Sequence, residues 1–217
     1  MSDNNDINPK LAKQFYRWLS DGEGSIFFLS KYRKFYADNN KSKSDCFVAV
    51  AKMFGEPKTN DQIYMVSQCY VKAGAAYRYQ AITYLEKFIA VGAVWSGTQR
   101  AKINMGDHVE DQLLASIASI WYQLGKAYEG EYEFEKARQA YLKAFEIDRY
   151  YTPAVCGVAN TYVKMNDLSG GIKYLAQFSK SDYKDLKLIA REEAKKIREK
   201  KAAGYVYKPR KKKSNGN

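Results

Sequence analysis

One stretch of this chain repeats its own pattern of large and small side chains after 34 residues. The stretch WYQLGKAYEGEYEFEKARQAYLKAFEID carries the pattern at Trp121, Leu124, Gly125, Tyr128, Ala137, Tyr141, Ala144 and Ile147. One repeat later the same positions hold Val155, Val158, Ala159, Tyr162, Gly171, Leu175 and Phe178, which keep size and polarity except that Trp121 and Ala144 are not matched. A repeat of this length is one supersecondary unit that cannot bury its apolar face alone, so such units must stack.

The spacing W-x2-L-G-x2-Y, followed by Ala137 nine residues after Tyr128, resembles a tetratricopeptide repeat. The resemblance is strong over residues 118–180 and weaker back to residue 60. In that earlier hairpin Ala81 follows Tyr70 by eleven residues, which indicates a degenerate repeat. The resemblance implies an all-α fold, a right-handed superhelical array of helical hairpins, and a binding role without catalysis.

Helical periodicity and turn residues divide the chain into successive segments. We expect a disordered N-terminus, a helical segment with helices near 9–19 and 25–37 and a third carrying Phe47, Val50 and Phe54, then the repeats, a capping helix and a flexible basic tail. The predicted ranges are 1–8, 9–57, 60–180 (degenerate 60–92, clear 118–151 and 152–185, the last overlapping the cap), 181–203 and 204–217. Residues 91–106 read as a long, functional connection, and Asp107 with Glu110 as a capping box for the next helix.

In tetratricopeptide proteins the first helix of each hairpin lines a concave groove, and the resemblance implies that its non-core positions contact a partner. These positions are Tyr64, Gln68, Val71, Tyr122, Lys126, Glu129, Cys156, Asn160 and Lys164. Each is also compatible with an ordinary solvated or edge-packed side chain. Lys126 and Asn160 do not reproduce the Lys, Asn and Arg set with which some relatives grip a carboxylate, so a chaperone-tail receptor is not expected.

No constellation in the sequence favours an enzyme or a metal site. His108 is the only histidine, and helix capping accounts for the acids beside it. The three cysteines have no histidine partner and no CxxC spacing, and no nucleotide or nucleophile motif occurs. We therefore predict no catalytic residue, no metal and no cofactor.

The positive charge is concentrated at the C-terminus. The chain has a net charge of +12, and from residue 184 onward 13 Lys or Arg stand against 4 Asp or Glu. The basic tail residues are Lys208, Arg210, Lys211, Lys212 and Lys213. Such a run binds phosphates, serves as a nuclear import signal, or merely keeps the terminus soluble. The stretches KQFYRWL and FFLSKYRKFY also mix aromatic and basic residues, a composition that suits single-stranded nucleic acid. Helical periodicity equally accounts for most of these rings as core residues.

The primary prediction is a non-enzymatic adaptor that holds a partner protein or peptide in the groove. The alternative is an RNA- or nucleoprotein-associated adaptor that uses the tail and the N-terminal basic and aromatic surface. The N-terminus lacks a secretory signal and no run is long enough to span a membrane, which favours the cytoplasm, or the nucleus in a eukaryote. Degenerate outer repeats are compatible with a homodimer.

Overall fold

The computed structural model describes residues 42–102 and 107–209, and all regular structure in these ranges is helical. The described elements are α1 (Lys43–Met53), α2 (Asn60–Ala73), a 3-10 turn (Ala75–Tyr77), α3 (Arg78–Lys102), α4 (Asp107–Gly130), α5 (Phe134–Ile147), α6 (Thr152–Lys164), α7 (Leu168–Ala176) and α8 (Lys184–Ala202). The predicted all-α class is confirmed. The helices predicted at 9–19 and 25–37 lie outside the described residues.

Side-chain caps define the starts of α1 and α2. The hydroxyl of Ser42 accepts the N–H of Asp45 at 3.1 Å, and the carboxylate of Asp45 accepts the N–H of Ser42 at 3.1 Å. Thr59 and Gln62 form the same reciprocal box at the start of α2. Such boxes satisfy two backbone donors that have no partner within the helix. α4 begins at Asp107, where the capping box was expected, but the side chains of Asp107 and Glu110 lie outside the description.

The first compact unit comprises α1, α2 and α3, with α2 packed against both neighbours. Its core joins Phe47 and Val50 of α1 to Val66 and Cys69 of α2, all of them buried. Phe47 and Val50 lie on the predicted third helix, which ends at Met53. The apolar spacing of the sequence therefore located this core.

The prediction of a long connection over residues 91–106 is wrong. α3 remains helical to Lys102, and α4 begins at Asp107, which leaves only a few residues between them. A glycine costs about 1 kcal/mol in a helix interior, whereas each further residue adds a backbone hydrogen bond. Gly92 and Gly97 are therefore tolerated within the helix.

The second compact unit contains two consecutive helical hairpins, α4–α5 and α6–α7, followed by α8. The turns of the hairpins have the same backbone conformation at positions 34 apart, with φ of 66° at Tyr132 and 61° at Asn166. The N–H after each of these residues donates to the carbonyl of a tyrosine: Glu133 to Tyr128 at 3.0 Å, and Asp167 to Tyr162 at 2.9 Å. The sequence repeat is thus a repeat of backbone geometry, and the predicted array of helical hairpins is confirmed in this unit.

A single tyrosine fills the space between the two hairpins. Tyr141 of α5 is completely buried, and its ring lies against Gly125 of α4 and Gly157 of α6. A Cβ at Gly125 would lie 2.6 Å from Cδ1 of this ring, and a Cβ at Gly157 would lie 2.7 Å from Cγ. The close approach at both glycines is therefore made by a side-chain ring, and Gly157 belongs to the hairpin that follows Tyr141.

α8 packs against α6 and α7 through a face that is buried at every turn. Its buried residues are Leu186, Ala190, Ala194 and Ile197. The helix begins three residues later than the predicted Ser181, because the Ser181 hydroxyl accepts the N–H of Tyr183 at 3.2 Å and holds a turn there. At the other end Gly204 has φ 64° and the N–H of Tyr205 donates to the carbonyl of Lys200, a Schellman motif.

The segment predicted as a flexible tail begins with residues that are held in place. Tyr207 forms two hydrogen bonds with Asn166 in the α6–α7 turn. The boundary predicted at residue 204 is therefore too early, and the residues from Arg210 onward lie outside the description. Periodicity could not reveal this contact, because it joins an irregular segment to a turn 41 residues away.

Candidate functional site

The first helices of successive hairpins in the second unit touch one another. α4 contacts α6, and α6 contacts α8. The predicted groove positions of this unit lie on α4 and α6, so the fold brings two of the three predicted sets onto adjacent helices. This arrangement makes a continuous surface from residues that are distant in sequence.

Two of the predicted positions project to solvent from equivalent places. Lys126 on α4 and Asn160 on α6 are exposed and stand 34 residues apart. One offers a cation and the other an amide that both donates and accepts hydrogen bonds. This pair has the chemistry needed to contact a polypeptide.

Two further predicted positions, Tyr122 and Cys156, are partly buried by their neighbours and do not extend into solvent. Tyr122 is half-buried, with its ring centroid 5.3 Å from that of Tyr141 and 5.6 Å from that of Tyr151. Burial raises the pKa of its phenol. Cys156 is also half-buried, and burial, followed by the charge of Glu193 on α8, raises the pKa of its thiol.

Glu129 and Lys164 bind each other at the C-terminal ends of α4 and α6. The Lys164 Nζ lies 2.5 Å from Oε1 of Glu129, and the Tyr141 hydroxyl donates to Oε2 at 2.6 Å. Glu129 keeps only 11% of its side-chain surface exposed, so the pair is largely screened from water. Burial, then the bond to Glu129, raises the pKa of Tyr141. Glu129 is therefore not open for a partner in this conformation, whereas Lys164 also contacts the ring of Tyr207.

The remaining predicted groove positions lie on α2 in the first unit. Tyr64 is 38% exposed, and its ring centroid is 5.3 Å from that of Phe88. Burial raises the pKa of Tyr64. Gln68 and Val71 are half-buried. Of these three positions, Tyr64 offers the most accessible surface.

The tail provides contacts that sequence reasoning missed. Tyr207 reaches Asn166, Phe134 and Lys164, whereas the basic residue Lys208 is exposed. The other predicted basic residues, Arg210, Lys211, Lys212 and Lys213, lie outside the described part of the chain. Asn166 lies in a turn with positive φ, a backbone conformation that asparagine tolerates. Its hydrogen-bonding partner, Tyr207, could not be predicted from residue spacing.

A second missed feature is an open cavity of about 590 Å³ between the α5–α6 turn and the start of α8. Tyr150 and Tyr183 pack edge to face at 4.5 Å along it, and both are exposed. Leu188 adds an exposed apolar side chain. The lining also includes Leu186, which belongs to the buried face of α8.

Within the described ranges, no three His, Cys, Asp or Glu side chains are grouped as a metal site would require. The side chain of His108 lies outside those ranges. Cys46, Cys69 and Cys156 are free thiols. Among the described helices, none combines the length and the apolar character needed to cross a bilayer.

No protein-family model matches this sequence, and no curated protein matches it. Solved structures that overlap it include two crystal structures of MamA, each 18% identical. One covers 95% of this chain and 90% of its own with a TM-score of 0.46; the other covers 85% and 100% with a TM-score of 0.47. PilF of Pseudomonas aeruginosa is 14% identical over 91% of this chain and 92% of its own, with a TM-score of 0.30. At such TM-scores these overlaps carry no functional information.

Proposed function

We propose that this protein is a non-enzymatic adaptor of the tetratricopeptide repeat family, and that α4 and α6 hold an extended segment of a partner protein. The observation that carries the proposal is the exposed pair Lys126 and Asn160 at equivalent positions of neighbouring first helices. Two equivalent positions in register suit a ligand that repeats at regular intervals, as a polypeptide backbone does. Catalysis needs a group of reactive side chains, and the pair offers none.

The chemistry of the pair indicates how the partner would be held. The Asn160 amide can donate to a backbone carbonyl and accept from a backbone N–H, and Lys126 can pair with an acidic side chain. Beneath them Tyr122 and Cys156 are fixed by packing, and Glu129 is fixed by its hydrogen bonds. A surface that is already ordered loses little conformational entropy on binding.

Affinity capture from the source lysate, followed by binding of the purified partner, tests this proposal. The bait is the full chain, compared with Lys126→Ala/Asn160→Ala and with the matched control Gln139→Ala/Lys173→Ala, whose exposed residues lie on the second helices α5 and α7. We expect the first variant to lose at least about tenfold in affinity, near 1.4 kcal/mol, and the control to bind like the parent. Equal binding by both variants would contradict the proposal.

A second candidate function, nucleic-acid binding, is favoured by one face of α8. Lys184, Arg191, Lys195 and Arg198 are exposed and recur at helical spacing along that face, over about 21 Å at 1.5 Å per residue. No acidic residue interrupts the row at these spacings. The row leads toward the basic tail, and such a series of cations can neutralise successive phosphates.

Salt dependence separates the two candidates. If α8 binds phosphates, the affinity for a labelled single-stranded RNA should fall by about 0.7 log units per contact for each tenfold rise in salt. Replacing Arg191, Lys195 and Arg198 by Gln should flatten that slope, whereas Lys126→Ala/Asn160→Ala should leave it unchanged. A partner protein that survives nuclease and moderate salt instead supports the adaptor proposal.

A further inference from the structure

The chain turns back on itself after α8 and places one residue against the α6–α7 turn. The N–H of Tyr207 donates to Oδ1 of Asn166 at 2.6 Å, and Nδ2 of Asn166 donates to the carbonyl of Tyr207 at 3.3 Å. One side-chain amide therefore binds both backbone polar groups of a single residue. This pairing imitates a neighbouring β-strand, and it recognises extended backbone without regard to the side chain.

The side chain of Tyr207 contacts two other residues, Phe134 and Lys164. Its ring stands nearly perpendicular to that of Phe134, with the centroids 5.7 Å apart, and Lys164 Nζ lies 5.9 Å from its centroid. Phe134 is itself supported by the ring of Tyr132 at 6.0 Å. Lys164 is held by Glu129, so the cation is already in place when the ring arrives. Phe134 and Lys164 therefore recognise an aromatic side chain through its edge and its face.

The cradle, defined here as Phe134, Lys164 and Asn166, comes from three different elements. Phe134 begins α5, Lys164 ends α6, and Asn166 occupies the turn to α7. The turn conformation places the amide, because asparagine tolerates the left-handed backbone that the repeat requires at this position. At the equivalent position of the preceding hairpin, Tyr132 contributes a ring instead.

We propose that the cradle is a peptide-binding site for an extended segment carrying a tyrosine, and that Tyr207 of this chain occupies it in cis. The cradle binds the backbone N–H and carbonyl of one residue and one aromatic ring, so any extended segment with these two features fits. A tethered segment has an effective concentration in the millimolar range, so a free peptide binds measurably only after Tyr207 is displaced. The site is separate from the pair Lys126 and Asn160.

The experiment uses the full chain with Tyr207→Ala, which empties the cradle, and a fluorescent peptide of residues 203–209, AGYVYKP. We expect this peptide to bind the Tyr207→Ala chain at least about tenfold more tightly than the parent, as measured by anisotropy. The same peptide with alanine in place of its second tyrosine should lose that binding. The hydrogen bonds of Asn166 are tested by adding Asn166→Gly to the Tyr207→Ala chain, because glycine accommodates the φ of 61° and lacks the side-chain amide.

Circular dichroism establishes that both variants are folded, and an amide signal of Asn166 that shifts on peptide addition in NMR spectra supports the site directly. Equal affinity for the parent and the Tyr207→Ala chain would overturn the proposal. Binding that survives Asn166→Gly, or no binding at millimolar peptide, would do the same. Lys126→Ala/Asn160→Ala should leave peptide binding intact, so this proposal and the proposed function can fail separately.

Discussion

The hairpin α2–α3 in the first unit and the hairpin α4–α5 in the second follow the same repeat plan with different packing. At the helix crossing, α4 has Gly125 where α2 has Ser67, whose hydroxyl donates to its own helix at the carbonyl of Tyr64, 2.7 Å away. Four residues after the small residue of the second helix, α5 has Tyr141 and α3 has Leu85. Both of these central side chains are completely buried.

The third hairpin supports the same rule of compensation. There Ala159 takes the place of Gly125 and Leu175 the place of Tyr141, and both are buried. A glycine accompanies the tyrosine, whereas Ala or Ser accompanies a leucine. The comparison teaches that the repeat conserves the combined volume of two positions rather than the identity of either, as close packing requires.

The turns differ as well, and they explain the irregular spacing of the first hairpin. Ala81 follows Tyr70 by eleven residues instead of nine, and the turn there contains Gly74 with φ 98° and the 3-10 turn Ala75–Tyr77. The turn of α4–α5 instead uses a single left-handed residue, Tyr132. The additional residues lengthen the turn and leave the pairing of the helices intact.

The largest effect is expected from Gly125→Ala, which should destabilise the second unit by about 3 kcal/mol because the new methyl group overlaps a buried ring. Urea denaturation followed by circular dichroism measures the loss. Ser67→Ala is the matched change in the first unit, and it should cost less than about 1 kcal/mol, because the serine hydroxyl bonds only its own helix. The volume rule further predicts that Tyr141→Leu makes Gly125→Ala less harmful. Additive losses in the double variant would contradict it.

A smaller effect is expected from Tyr141→Phe. It keeps the packing and removes the hydrogen bond to Glu129, so the unit should lose about 2 kcal/mol, as for a hydrogen bond to a charged acceptor. Leu85 makes no such bond, which means that the first unit has no equivalent vulnerability. If thermal denaturation shows Tyr141→Phe to be neutral, the hydroxyl contributes nothing and the two hairpins are closer in character than we infer.

The first unit should respond to pH through a thiol. Burial raises the pKa of Cys69 to about 12, with Lys72 opposing the shift, against an ordinary value of 9.0. Above pH 9 the unfolded thiol ionises while the folded one stays protonated, so unfolding releases a proton and stability falls as pH rises. We expect a loss of about 1 kcal/mol between pH 8 and 10. Cys69→Ala should lower the starting stability and flatten this dependence; an unchanged slope would assign it to other groups.

The smallest effect is expected from Tyr174→Phe. The Tyr174 hydroxyl is buried and finds no hydrogen-bond partner among the described residues. Removing it should therefore change stability by less than about 0.5 kcal/mol, or raise it slightly. Comparing Tyr174→Phe with Tyr141→Phe gives the stability contributed by a tyrosine hydroxyl without a hydrogen-bond partner and by one that has a partner, within the same unit.

The sequence predicted the hairpins because their signals are local. Trp121 to Tyr128 and their equivalents recur at fixed intervals, and helix periodicity placed Phe47 and Val50 on a buried face. The site was predictable only in part, because exposure depends on what packs nearby. Lys126 and Asn160 are exposed, whereas Glu129 and Lys164 form an ion pair with each other.

Contacts between segments that are distant in the sequence could not be predicted from the spacing of residues. Tyr207 meets Asn166 only because α8 returns the chain to the same end of the unit as the α6–α7 turn. Gly157 gave no signal either, since its partner Tyr141 belongs to the preceding hairpin. Similarly, the glycines near residue 95 suggested a loop, but helix propagation across them was stronger.

The position of one ring also determines how the second unit opens. Tyr141 lies between glycines of two successive hairpins, so separating α6 from α5 exposes the same ring that holds α5 against α4. The two hairpins therefore share a large buried side chain, and the free energy of opening one of them depends on whether the other is closed. Backbone amides of α5 and α6 should accordingly exchange with solvent deuterium in a single cooperative opening, although repeat arrays commonly fray from their ends.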